Sequence, residues 1–264
     1  MQFDRLLLWI ESQPATVIAL IAFGACYLCA AIVFVIERVL ISKRIANELK
    51  ATTPVMLTPL SVLTGLVIAF VASRIWINLD HANAVVRDEA RNIEEIVTLA
   101  KRFPQNVQTE IRHAIGQYLQ FTKEDAWPAM LSGSAKMQTS VAGLTDAMST
   151  LLSFVPENPG QQIVQQRTMV AIEQALDARR HRILLSEASV LPMQWIVILV
   201  LATLMLVTVA IVHIERPHAM AANLFILSTA LGVCLMLLLV NDRPFSAGGF
   251  QIRPDSLLGQ IVID

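Results

Sequence analysis

The chain has 264 residues, of which 55% are apolar and only 16% charged, against a usual charged share of about 25% in soluble domains. That balance excludes an ordinary soluble globule. Lys and Arg number 20 against 21 Asp and Glu, a net charge of −1, so no bulk field draws the chain to nucleic acid. Cys26, Cys29 and Cys234 all sit in apolar runs, too few for a disulfide framework, and read as small hydrophobes.

Four runs are long enough to cross a hydrocarbon core, which takes about 20 apolar residues in a helix. They are Thr16 to Ile36, Pro54 to Ile77, Pro192 to Ile214 and Ala219 to Val240. Lipid offers no hydrogen bonds to backbone groups, so each run is predicted to be a helix. The first run is too long and its flank too weakly basic for a signal peptide, and it is expected to stay. Between the second and third runs lies a polar stretch, Asn78 to Leu191. The reading is an all-α membrane protein. It divides into a first transmembrane helix pair (1–77), a helical cytoplasmic insert (78–191), a second pair (192–240) and a C-terminal tail (241–264).

With four crossings, both termini and the insert share a side. That side carries Arg5, Arg87, Arg91, Arg179, Arg180, Arg182, Arg243 and Arg253, and the other Arg38, Lys43, Arg44, Lys50 and Arg216. Lys and Arg resist translocation, so eight against five places the insert and both termini in the cytoplasm.

Inside the insert, apolar residues recur at helical spacing: Val86, Ile93, Ile96, Val97 and Ala100, then Ile111, Ile115, Tyr118 and Leu119, and later Met169, Ile172, Leu176, Ile183, Leu184 and Ala188. Breaks are expected at Phe103-Pro104, Trp127-Pro128, Ser132-Gly133 and Pro156 to Gly160. The outer helices of the insert are expected to run on from the second membrane helix and into the third, with Pro192 as a kink.

No enzyme constellation stands up, and neither a cofactor nor a metal is expected. There is no phosphate loop, no GxGxxG, no Gly-x-Ser-x-Gly and no His-Glu-x-x-His. His213, Glu215 and His218 are metal-like in composition, but a hydrated turn is the favoured reading. Arg179 to Arg182 are expected to pair with Asp88, Glu89, Glu94 or Glu95 as a salt-bridge layer.

The second membrane run is less ordinary, because Thr58-Pro59-Leu60-Ser61-Val62-Leu63-Thr64-Gly65-Leu66 sets a proline, a glycine and three hydroxyls in one apolar span. Thr58, Val62, Leu66, Ala69 or Phe70, and Ser73 fall on one stripe. The spacing alone fits a pore wall as well as packing against the other three helices. Arg74 reads as an interfacial anchor, or as a lure for anions at a vestibule.

Pro59-Leu60-Ser61-Val62-Leu63-Thr64-Gly65, followed by Ser73-Arg74-Ile75-Trp76, resembles the pore-helix signature of bestrophin channels. Arg87-Asp88-Glu89-Ala90, the run from Arg179 to Arg182 leading to Leu191-Pro192, and Asp242-Arg243-Pro244-Phe245 resemble marks of the bestrophin-like family of bacterial and plant proteins. The likeness spans Thr53 to Ile261. It implies a ring of identical subunits, a pentamer in bestrophins, around a pore lined by the second helix.

Thr58, Val62 and Leu66 match the hydrophobic neck, with smaller side chains than bestrophins carry there. Pro59, Ser61, Gly65, Ser73, Arg74 and Trp76 carry the helix motif. The acidic run that clasps calcium in animal bestrophins is replaced by Pro244 to Phe250, so no calcium site is expected.

The expected protein is an integral membrane subunit of a bacterial inner membrane. Its partners would be the lipid bilayer, identical subunits and small inorganic ions, anions favoured, with no nucleic acid. The rival reading is a membrane-anchored sensor or scaffold whose insert binds a protein partner.

Overall fold

The computed structural model describes residues 7, 9, 10, 13–40, 43–132, 141–245 and 252, with only the backbone at 40 and 43–54. Arg5, Gly133, Arg253, the segment 246–251 and the side chains of Lys43, Arg44 and Lys50 therefore lie outside the described residues. All regular structure among the described residues is helical: α1 (Ala15–Leu40), α2 (Lys43–Ala100), α3 (Gln105–Phe121), α4 (Trp127–Leu131), α5 (Ala142–Ser153), α6 (Pro159–Ser186), α7 (Pro192–Val212) and α8 (Pro217–Asn241). The described residues fall into two compact units, one within 7–77 and 189–242, the other within 78–188 with 243–245 and 252.

In the first unit α1, α7, α8 and the apolar part of α2 are each long and apolar enough to cross a membrane, which makes this an integral membrane protein. Lipid tails are as apolar as leucine, so these helices associate through close packing and small residues. α1 buries Ile18, Ala22, Cys26, Ala30 and Val33 at spacings of three and four. Against α8, the Tyr27 ring stacks on Phe225 at 5.3 Å and its hydroxyl lies 2.9 Å from Thr229 Oγ1. Gly232 is required at this crossing, since an added Cβ would meet the Phe23 ring at 2.6 Å. α7 contributes Trp195, Ile198, Ala202, Leu206 and Ala210 to the same core.

The second unit has its own core, built around Ile93, Ile96, Ile111, Ile115, Leu144, Leu151 and Ile172. Pro104 separates α2 from α3, as proline lacks the donor a continuing helix needs. Phe103 beside that break packs edge-on against Phe154 at 5.3 Å. α3 and α5 cross so closely at Gly143 that a Cβ there would lie 2.3 Å from the Ala114 carbonyl oxygen. At the start of α6, the Asn158 side chain accepts from the Gln161 N–H at 2.9 Å, an N-cap placed before a proline at the helix start.

Two expected features differ. Trp127-Pro128 is not a break: a π-helical turn over Thr122–Ala126, closed by the Trp127 N–H on the Thr122 carbonyl, carries α3 into α4. The wider turn re-registers the chain so that Pro128 falls in the first turn of α4, where its missing donor costs nothing. Nor does the insert run into the third crossing. α6 ends at Ser186 and α7 begins at Pro192. Pro192 confines Leu191 to extended backbone, φ −60° and ψ 137°, so the chain breaks instead of kinking. Ala188, assigned to the helical set, lies in this connection. The continuation from the second membrane helix does occur, as α2 is one helix of 58 residues.

Candidate functional site

Along α2 the side chains sort into two faces. Thr64, Val71, Ile75, Ala82, Val86, Glu89, Ile93 and Ile96 are buried. On the opposite face Thr58, Val62, Leu66, Ala69 and Ser73 are all exposed, Val62 at 64% and Leu66 at 49%. Of the motif residues, Pro59, Ser61, Gly65, Ser73, Arg74 and Trp76 are exposed as well. No described side chain of the same subunit covers the stripe.

The Ser61 and Thr64 hydroxyls turn back onto their own helix. Ser61 Oγ donates to the Leu57 and Thr58 carbonyls at 2.5 and 3.0 Å, and Thr64 Oγ1 to the Leu60 carbonyl at 2.7 Å. Such self-bonding satisfies the hydroxyls within their own helix without recruiting a neighbour. Gly65 meets nothing within 4 Å of a would-be Cβ, so nothing in its own subunit requires a glycine there. Arg74 donates to the Gln194 Oε1 at 3.4 Å, which ties its guanidinium to the first turn of α7 and away from the Val62 stripe.

Beneath the exposed face of the second unit sits a buried ionic brace. Arg182 Nε donates to Glu89 Oε2 at 2.6 Å and Nη2 to Glu89 Oε1 at 3.0 Å, a two-pronged pair with both side chains fully buried. The Tyr118 hydroxyl donates to the same carboxylate. The guanidinium stacks over the Trp127 ring at 5.3 Å, and Trp127 packs edge-on against Phe245 at 5.7 Å. Burial and the neighbouring carboxylate push the Tyr118 phenol well above the ordinary range.

Of the expected salt-bridge layer, the structure joins Arg182 to Glu89, and Arg179 is buried within reach of the same carboxylate's charge. Asp88 binds Arg91 on its own helix at 3.0 Å, and Arg180 binds Asp177 at 3.1 Å. Tyr118 was legible only as a member of an apolar helix face, and Trp127 only as part of an expected break. The available signal was a hydroxyl-bearing aromatic on the face of α3 that is otherwise apolar.

Asp242 of the Asp-Arg-Pro-Phe stretch accepts from the Val190 N–H at 2.8 Å, fixing the turn before α7. At the other turn, His213 Nδ1 lies 2.9 Å from the Val209 carbonyl of its own helix. Among the described residues no three His, Cys, Asp or Glu side chains are grouped as a metal site.

These features define an α-helical membrane protein with four apolar spans, each exposed on an outward face and the α2 span the least buried of them, and a separate helical unit held by a buried ion pair. A Bestrophin-like domain model matches residues 23–257, and the chain belongs to the Bestrophin-like family. That membership suggests a channel-like function. No curated protein and no solved structure matches the chain significantly.

Proposed function

We propose that the chain is a subunit of a passive ion channel in which identical copies, five by analogy with bestrophins, surround an axis lined by α2. Thr58, Val62 and Leu66 would form the neck, and small inorganic ions, anions favoured, would pass it. The observation that carries this reading is the bare apolar stripe centred on Val62, opposite the buried Thr64, Val71 and Ile75. An apolar ring gates by wetting more than by charge. The balance of Lys and Arg supports a cytoplasmic insert and termini, and the resemblance to bacterial members of the family suits a bacterial inner membrane.

Flux through liposomes holding the purified protein tests it. Leu66→Ala widens the neck and should raise ion flux several-fold; equal flux through both proteins would remove the neck, and a monomeric particle would remove the ring.

A second reading has its own support. Leu152, Val155 and Ile163 are 71%, 80% and 62% exposed, an apolar display that suits a protein partner of a membrane-anchored scaffold. A wild-type protein with no flux, isolated as a monomer, would favour it.

A further inference from the structure

The exposed face of α2 does not end with the membrane. Asp80 follows Val62 by 18 residues, Arg87 by 25 and Arg91 by 29, which at about 3.6 residues per turn are close to five, seven and eight whole turns. Ala84 and Glu94 fall within about 40° of the same line. Asp80, Arg87, Arg91 and Glu94 are all exposed, and an open polar cleft lies over Ala84, Arg87, Asp88, Arg91 and Glu94. Glu89 points the other way, into the brace with Arg182. So within Arg87-Asp88-Glu89 the first residue presents charge outward while the third holds the core.

The outward charges are not equivalent. Arg91 is partly neutralised by Asp88 at 3.0 Å, whereas Asp80, Arg87 and Glu94 form no ion pair among the described residues, and of these three Asp80 and Arg87 lie within about 20° of the Val62 line. An uncompensated charge repeated around an axis is multiplied by the number of subunits, and its field is focused by a narrow low-dielectric passage.

We propose, on the reading that α2 lines the axis, that Arg87 and Asp80 are the charge-selecting residues of the pore's inner mouth. Arg87 enriches anions and Asp80, two turns nearer the neck, holds that preference down. Selectivity then resides below the neck, on charges that share its helix face, and not on Arg74, which lies about 120° around the helix from Val62 and reaches Gln194 instead.

The experiment is the anion-to-cation permeability ratio, from reversal potentials of reconstituted protein under a tenfold potassium chloride gradient. Arg87→Glu should lower the ratio by about three- to tenfold and Asp80→Asn should raise it, opposite shifts on the scale that focused fields produce. Glu124→Gln, at an exposed charge on the π-helical turn and not on α2, serves as control and should leave the ratio unchanged. Both test positions are exposed, so the variants should keep the wild-type melting temperature, which is checked in parallel. If Leu66→Ala changes the current while Arg87→Glu and Asp80→Asn leave the ratio alone, the charge assignment is overturned and the pore reading stands. If wild type and Leu66→Ala both fail to conduct, the pore reading falls and takes this assignment with it.

Discussion

At the scale of single residues, Glu89 and Arg182 decide the most. Both are fully buried and joined by two hydrogen bonds, so removing one partner strands a charge in the core. Arg182→Ala should cost about 3–5 kcal/mol, the usual range for breaking a buried pair from one side, and a drop in the melting temperature of the detergent-solubilised protein measures it. A melting point unchanged from wild type would mean that the pair is spectator to the fold.

Tyr118 adds a pH signature. Its phenol is held above the ordinary value of about 10 by burial first and by the Glu89 carboxylate second. The folded chain therefore keeps a proton that the unfolded chain releases at high pH. The stability it contributes is complete below pH about 10 and declines as pH rises past it. Melting curves between pH 8 and 11 should show this alkaline decline, and Tyr118→Phe should flatten it; an identical decline in the variant would refute the assignment.

At the scale of elements, α2 is the informative helix because its two faces obey different rules. Among the described residues the inward face carries small and branched apolar side chains and buries one charge, Glu89, where Arg182 and Tyr118 receive it. Its outward face carries an apolar stripe and then charges, of which Arg91 is paired with Asp88, while Asp80 and Arg87 form no ion pair among the described residues. Gly65 separates the possibilities. Alanine is a better helix former than glycine by about 1 kcal/mol, and nothing within the subunit opposes a Cβ there. If α2 packs only on its own chain, Gly65→Ala should be neutral or stabilising. The ring reading predicts instead that the variant loses assembled particles in favour of smaller ones, read by the mass distribution of the purified protein. An unaltered distribution would show that no neighbour approaches at that position.

The connections at this scale were partly legible. Pro104 and the Asn158-Pro159 start behave as local chemistry dictates, since a missing N–H and a side-chain acceptor act within one turn. The π-helical turn before Pro128 was not legible. Whether a proline breaks a helix or begins one depends on the register of the preceding turn, and burial of Trp127 and Met130 in the core sets that register from outside the segment.

At the scale of the whole molecule, the chain supports two separate cores, each satisfied by different physics. The membrane unit is held by close packing of small and aromatic residues, as between Gly232 and Phe23. The other unit buries apolar surface from water around its ionic brace. The Val62 stripe remains unpartnered in a single copy, so function is expected to emerge only when several copies assemble. That is why the flux of Leu66→Ala and the subunit count bear on the same claim.

The sequence by itself determined the four spans, the all-helical class, the polar insert and the family resemblance. These follow from run length, periodicity and short-range spacing, and the backbone's need for internal hydrogen bonds in lipid leaves one solution. Only the tertiary structure decided which of four acidic candidates meets the arginine run, that Arg74 is bound to Gln194, and that the Thr58 to Ser73 stripe is bare and not packed. Those outcomes turn on which residues distant in sequence arrive opposite one another. A one-dimensional pattern gives the face a side chain occupies, while its partner is fixed by how whole helices pack.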